Sequence, residues 1–447
     1  MSAPAIAVVP GGLPLLGHAL QFRKDPLGFF GSLREHGDIV QVRLGPQRVY
    51  VLNSAKLAHE MLVDKPRKFD KGASIEITRD LVGYGLASSE GEMHRGHRRL
   101  MQPVFRRERI VEYARIMREQ IVEQTGTWRE GQILDVRQEM AALSFAVAAK
   151  TLVCSHHGKE LEQEMRLNMP RIFELLYQRM IAPLPVLNKL PLARNREYAS
   201  YLARLHPIVD KLIAEYRAGG DGRNDLLALL IEARDSETAG GLSDEEIHDQ
   251  IITIMVAGSE TNSATLTWVF YLLTKHPEVE RRLHEEVDRV LGDRPADYAD
   301  VPNLVYTAQV ISEALRCYPP AWILTRRANE DLELGGHAIP NGSSVMLCSY
   351  AVQRDPRNFS DPDTFDPDRW SPQRVGEIPQ KAMLHFGAGP RRCIGDVFAV
   401  VEATLAVSTI AARWRLRHDP AVTMDLETVV AATLIPRSLL LTVEKRH

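Results

Sequence analysis

Cysteine is scarce in this chain: 447 residues contain four, Cys154, Cys317, Cys348 and Cys393, with no close pairing among them. So few thiols make no disulfide framework, and a reducing compartment is the simplest home for them. Neither sign of charge dominates. Lys and Arg total 55 against 58 Asp and Glu, a formal net charge of −3, which gives no reason to expect nucleic acid as a partner. The opening "MSAPAIAVVPGGLPLLGHAL" has its apolar residues interrupted by Pro and Gly and has no cationic region ahead of them. It is neither a signal peptide nor a membrane span, which takes about 20 consecutive apolar residues. A soluble, cytoplasmic protein without a membrane anchor is expected. Repeats, low-complexity tracts and long linkers are also missing, so residues 1–447 read as one domain.

Hydrophobic content of 45% and charged content of 25% are ordinary for a globular protein. "DIVQVRLG" and "RVYVLN" alternate apolar and polar residues, which predicts a small antiparallel sheet. From about Arg106 to Asp235 the pattern is mostly helical, with a break at Ala182–Leu192 where Pro183, Pro185 and Pro191 argue for a connection. Ser243, with Glu246 three residues on, is a capping-box pattern opening a helix that runs to about Lys275. Roughly thirty residues at 1.5 Å each span about 45 Å. Its largely apolar middle predicts burial. Short strand-like runs close the chain around "VVAATLIPRSLLLTVEKR". The expected fold class is mainly α with small antiparallel β-sheets.

Inside the apolar helix stands "AGSET", Ala257 to Thr261. Glutamate is rarely buried without a partner or a purpose. Ala257 and Gly258 strip bulk from one face, and a hydroxyl beside a carboxylate there suits the holding and relaying of water and protons. On residues alone, a helix bend with Glu260 reaching solvent is an equal reading. Glu313 and Arg316, in "SEALRCYPP", share a helical face and can pair; alone they read as a surface ion pair worth little. The third feature is "FGAGPRRCIG", Phe386–Gly395, which sets a cysteine among three glycines and two arginines. A merely packed cysteine prefers an apolar helix or strand. Cys393 lies where a thiolate is stabilised and where something bulky can approach the backbone.

Phe386, Gly389, Arg391, Cys393 and Gly395 fit F-x-x-G-x-R-x-C-x-G. With "AGSET" and the ExxR helix, in this order, the whole chain resembles the cytochrome P450 family. The resemblance implies a single catalytic domain around haem b, with Cys393 as the axial thiolate ligand of the iron, a ligation that favours O–O cleavage. It implies propionate contacts from Arg391, from Arg326 in "LTRRA", and from His94 and Arg98, which hold the spacing where the family often has W-x-x-x-R. Phe386 belongs to the same cofactor loop. His97 and Arg99 are read as a solvated face. "FDPDRW" supplies Arg369, which by the resemblance joins Glu313 and Arg316 in a structural triad. Glu260 and Thr261 become the catalytic proton-delivery pair. Asn262 stands where the family usually has Thr or Ser, a departure that bears on the local water network. Cys154, Cys317 and Cys348 match no ligand pattern and are read as core or structural residues.

The family's substrate-lining segments fall on Ile75, Ile77 and Leu81; on Phe173, Leu176 and Tyr177; on Met255 and Ala257; on Trp322 and Ile323; and on Thr433 and Leu434. Each is equally an ordinary core residue; as a set they imply an apolar pocket. The wording of "GGLPLLGH", "PAWILTRRA" and "YAVQRDPRNFSDPDTFDPDRW" is similar to that of bacterial, actinomycete-type P450s that oxidise terpenes in secondary metabolism, including antibiotic biosynthesis. The implied reaction is O₂-dependent hydroxylation of a hydrophobic small molecule, first a cyclic sesquiterpene, with a fatty acid or other natural product as the alternative; repeated rounds lead to an aldehyde or ketone. A haem-binding protein without turnover is the rival of another class, and the retained acid–alcohol pair counts against it. No flavin or nicotinamide region remains, so the resemblance implies electrons from a ferredoxin and its reductase. Arg391, Arg392, Arg106 and Arg107 are candidates for attracting an acidic partner. Nothing suggests an obligate assembly, and a monomer is expected.

Overall fold

The structure is a computed structural model and describes residues 4–153, 156–182, 185–219, 225–234, 240–418 and 428–446. Two compact units are distinguished, one of Met1–Ile77 with Leu315–Cys393 and the other of Thr78–Ala314 with Ile394–His447.

The first unit is built on a six-stranded sheet in the order Ala7–Val8, Ile39–Leu44, Gln47–Leu52, Ser344–Cys348, Ile323–Ala328, Phe69–Asp70. The expected hairpin is present: Gly45, at φ +61°, sits in the two-residue turn that pairs Leu44 with Gln47. The sheet is not purely antiparallel, however. Ala7–Val8 runs parallel to Ile39–Leu44, and Gln47–Leu52 runs parallel to Ser344–Cys348. This corrects the antiparallel expectation, and the reason is topological. Parallel neighbours need a long crossover, so Val345 and Leu347 complete a sheet begun almost three hundred residues earlier. Asp25 accepts from Gly28 N at 2.9 Å and starts the helix Pro26–Leu33, which buries Phe29, Phe30 and Leu33.

The second unit is helical. Its principal helices are Gly91–Met101, Arg107–Thr125, Val136–Leu152, His156–Met180, Ala193–Ala218, Asp244–Lys275, Pro277–Leu291 and Asp396–Arg413. Two small antiparallel sheets accompany them, one of Trp414–Arg417, Leu440–Lys445 and Ile133–Asp135, the other of Thr428–Val430 and Leu434–Pro436. Ile133–Asp135 lies in a stretch expected to be helical; three residues make a strand only because Leu440–Lys445 pairs with them. The connection expected at Ala182–Leu192 contains a 3₁₀ turn at Pro185–Asn188, while Pro183 lies outside the described residues, as does Asp235.

The central helix Asp244–Lys275 begins where its capping box predicts. Ser243 Oγ accepts from Glu246 N at 3.2 Å and the Glu246 carboxylate accepts from Ser243 N at 2.8 Å. It packs along Val136–Leu152 and Asp396–Arg413. Three of its buried hydroxyls bond back to the helix's own carbonyls: Ser259 donates to Met255 O, Ser263 to Glu260 O and Thr267 to Ser263 O. No helix among the described residues is long and apolar enough to cross a membrane.

Candidate active site

The cysteine loop belongs to the first unit as far as Cys393. Cys393 N donates to Phe386 O at 2.9 Å, closing the loop, and a 3₁₀ turn at Gly389–Arg391 shapes it inside. Gly389 has φ +68°, and a Cβ there would stand 2.1 Å from Leu62 O, so only glycine fits. Cys393 is exposed, whereas Cys317 and Cys348 are buried. Burial pushes the Cys348 thiol up to about 12, which leaves it inert as a ligand at neutral pH. Cys154 lies outside the described residues. Within the loop, Arg391 Nη2 donates to Phe69 O at 3.1 Å; on the strand Ile323–Ala328, Arg326 Nη1 donates to Thr325 O at 2.8 Å. Both arginines, and Phe386, are half-buried.

The ExxR helix is Val305–Cys317, ending before Pro319 as its prolines require. Glu313 and Arg316 are both completely buried, which removes the surface-pair reading. Arg316 donates to Gln353 O at 2.9 Å, Pro362 O at 2.7 Å and Thr364 O at 3.1 Å. Arg369, 4% exposed, donates to Ser360 O at 2.6 Å and Asp361 O at 3.2 Å. Two buried guanidinium groups thus gather the carbonyls of one irregular segment, work that suits a planar five-donor fork.

In the second unit the acid and the alcohol of the central helix have separate partners. Glu260 is half-buried, and its Oε1 accepts from Thr433 Oγ1 at 3.0 Å. Burial raises the Glu260 carboxyl above its ordinary range, against the opposing pull of the Thr433 hydroxyl and, less, of Arg137. Thr261 Oγ1 donates to Ala257 O at 2.7 Å, so its lone pairs are left to accept from water or another donor. Ala257 is exposed, and a Cβ on Gly258 would meet nothing within 4 Å. The helix is therefore open at the acid–alcohol turn.

A cytochrome P450 family model matches residues 9–442, spanning the cysteine loop, the ExxR helix and the acid–alcohol helix alike. The chain belongs to the cytochrome P450 family. It is 45% identical to cyclooctatin synthase of Streptomyces melanosporofaciens, over 92% of this chain and 90% of that one. It is 40% identical to pentalenene oxygenase of Streptomyces avermitilis, over 98% and 97%. A crystal structure of the cytochrome P450DA haem domain superposes with a TM-score of 0.89 at 28% identity, covering 100% of this chain and 98% of that one. The chain is thus a P450 monooxygenase and its cofactor is haem b.

The residues of this P450 fit that cofactor. The one exposed thiol among the described cysteines sits on backbone stripped of side chains, and cationic donors accompany it on Arg391 and Arg326 in the first unit. His94 and Arg98 in the second unit share one face of the helix Gly91–Met101. When bound, the haem iron would supply O₂ binding and reductive O–O cleavage. Cys393 would hold that iron, Arg391, Arg326, His94 and Arg98 would pair the propionate charge, and Glu260 Oε1 and Thr261 Oγ1 would hold the protons.

Several expectations need correction. His97 is not on a solvated face: it is 3% exposed, its Nε2 3.1 Å from Glu246 Oε1 and its Nδ1 3.2 Å from Gln250 Nε2. One turn of helix carries both His94 and His97 inward, which a local charge pattern hides. Of the expected pocket residues, Leu81, Leu176, Met255, Trp322 and Leu434 are buried in the core with almost no accessible surface. Trp322 packs edge-on against Phe30, centroids 6.1 Å apart, and Trp268 Nε1 donates to Leu434 O at 3.0 Å. Phe173 and Thr433 are also buried, and Thr433 works instead as the partner of Glu260. Ile75, Ile77 and Ile323 in the first unit, and Tyr177 and Ala257 in the second, keep accessible surface. Asn262 turns into the interior beside Glu402 and Ser144, where burial pushes the Glu402 carboxyl up to about 8. It therefore does not join the open turn. Sequence reasoning missed Glu402, whose only signal was a lone acid in the apolar run "VFAVVEATLAV".

Proposed function

We propose that this P450 hydroxylates a cyclic terpene hydrocarbon or alcohol in a secondary-metabolic pathway. The observation that carries the reading is the similarity, at 40–45% identity over more than nine-tenths of the chain, to enzymes named for cyclooctatin and pentalenene chemistry. Accessible surface at Ile75, Ile77 and Ile323 in the first unit, and at Ala257 and Tyr177 in the second, supports it, since an apolar substrate needs apolar lining.

In this proposal Cys393 ligates the iron, and Arg391, Arg326, His94 and Arg98 meet the propionates. Glu260 and Thr261 handle the protons that O–O cleavage consumes. Glu313, Arg316 and Arg369 form the structural triad, and residues 1–447 act as one catalytic domain and as a monomer. Electrons come from redox partners; a ferredoxin and its reductase are the pair proposed, docking where the exposed Arg392, or Arg106 and Arg107, attract an acidic surface.

The test is the reduced carbon-monoxide difference spectrum of the purified holoprotein, followed by titration with cyclic terpenes and with fatty acids. A strongly red-shifted Soret band and a low-to-high-spin change with terpenes are expected. A spin change with fatty acids alone would replace the substrate class. An unshifted band would remove Cys393 as the ligand.

A further inference from the structure

We propose that His206 and His248 form a chelating site for one divalent transition-metal ion of the zinc or nickel type, clamping the helix Ala193–Ala218 to the opening turns of the central helix. His206 Nδ1 lies 3.1 Å from His248 Nε2, with ring centroids 5.0 Å apart and planes inclined by 34°. Two nitrogens each about 2.0–2.1 Å from a zinc ion stand about 3.4 Å apart at a tetrahedral angle and about 2.9 Å apart at a right angle. The observed separation falls between these limits. The two nitrogens thus already stand at the spacing of two ligands on one ion.

The surroundings match the outer shell of such a site. His248 turns its other nitrogen toward Asp249, Nδ1 to Oδ1 3.5 Å, while Asp249 Oδ2 is held by Tyr84 N at 2.6 Å. His206 is hydrogen-bonded to the backbone of Asp80. Ligating histidines are characteristically aimed in this manner, one nitrogen on a carboxylate or backbone carbonyl and the other on the ion. Asp210 sits four residues after His206 on the same helix face, its Oδ1 3.8 Å from His248 Nε2. Among the described residues no three such groups already close round one ion. The Asp210 side chain is 70% exposed, however, and free to turn in as a third ligand. Asp210 and Asp249 would also offset the charge of the ion. Imidazole with carboxylate selects zinc, nickel or copper over calcium or magnesium. None of these residues belongs to the cysteine loop or the acid–alcohol turn.

The experiment is isothermal titration of untagged, chelator-stripped holoprotein with zinc chloride, with zinc-edge X-ray absorption on the product. One equivalent is expected to bind at micromolar concentration, with a shell containing two imidazole nitrogens at about 2.0–2.1 Å. His206→Gln and His248→Gln should each lower the affinity at least about tenfold, and Asp249→Asn, acting through the ring it orients, about tenfold. Unfolding temperatures in chelator establish that each variant is folded; zinc should raise that temperature in the native chain and not in His248→Gln. Absence of a saturable single equivalent, or an unchanged titration in the double His206→Gln, His248→Gln variant, would overturn the site. Should a variant fail to fold, the absorption spectrum of the native chain decides, and fewer than two imidazoles in the zinc shell rejects the proposal.

Discussion

Thr433→Val removes one hydroxyl from the acid–alcohol turn and leaves its packing almost untouched, because valine matches threonine in shape. The hydroxyl it deletes donates to Glu260 Oε1 at 3.0 Å. Burial already favours the neutral form of Glu260, and the Thr433 bond is the larger of the two effects that oppose it. A hydrogen bond to a charged acceptor contributes about 1.5–3 kcal/mol. With about 1.4 kcal/mol for each tenfold step, the carboxylate should lose roughly one to two orders of magnitude in population relative to the acid. The sign follows directly. A carboxyl that ionises at higher pH needs higher pH to cycle between acid and base, so the acidic limb of the turnover profile moves upward. Turnover at neutral pH falls, and the yield of product per O₂ consumed falls with it. Substrate affinity, read from the spin-state titration, should stay unchanged, and Thr433→Ser should restore the native profile. The assay is product formed and O₂ consumed across the neutral range for the native chain, Thr433→Val, Thr433→Ser and Glu260→Gln. If Glu260→Gln loses activity while Thr433→Val overlays the native profile, the assignment of Thr433 as the anchor of the acid is wrong.

Arg316→Lys keeps the charge but loses the fork that reaches Gln353 O, Pro362 O and Thr364 O. Carbonyls stranded in the interior should cost about 3–5 kcal/mol, seen as a thermal midpoint lower by several degrees; an unchanged midpoint would contradict the role given to that fork. Gly389→Ala forces a side chain into left-handed backbone, about 1–2 kcal/mol, and drives its Cβ against Leu62 O. The loop must shift, so loss of the red-shifted carbon-monoxide band is expected, and a native spectrum would refute the constraint. Ser243→Ala removes the N-cap, at about 1 kcal/mol near neutral pH. Burial alone would raise the Glu246 carboxyl, but bonds from Ser243 and His97 bring it below its ordinary value. That stability is present above the unfolded carboxylate range and is lost as pH falls through the folded one. The gap between variant and native midpoints should therefore narrow in acid; a constant gap would exclude Glu246 as its source.

Much of the local structure around the candidate site was legible because its signals are local. The capping box at Ser243 and Glu246 marked the start of the central helix to the residue, since both partners lie within one turn. Prolines set the end of the ExxR helix. Three glycines round Cys393 announced a loop whose backbone must be bare, and Gly389 meets Leu62 O as such a loop requires. What stayed hidden depends on partners remote in sequence. Thr433 looked like one more pocket residue until the turn after Thr428–Val430 brought it to Glu260. His97 read as part of a charged face because its partners, Glu246 and Gln250, come some 150 residues later.

The division between the two follows from the range of each force. Sequence alone determined the helices with their caps, the thiol in its bare loop, and the acid–alcohol pair in an apolar run, because propensity, capping and steric freedom act within a few residues. Tertiary structure decided which apolar residues are core and which keep accessible surface, why strands so far apart in sequence run parallel, and which hydroxyl holds Glu260. Burial and hydrogen-bond pairing depend on what the folded chain brings alongside, and a side chain's desolvation has no counterpart in its neighbours along the sequence.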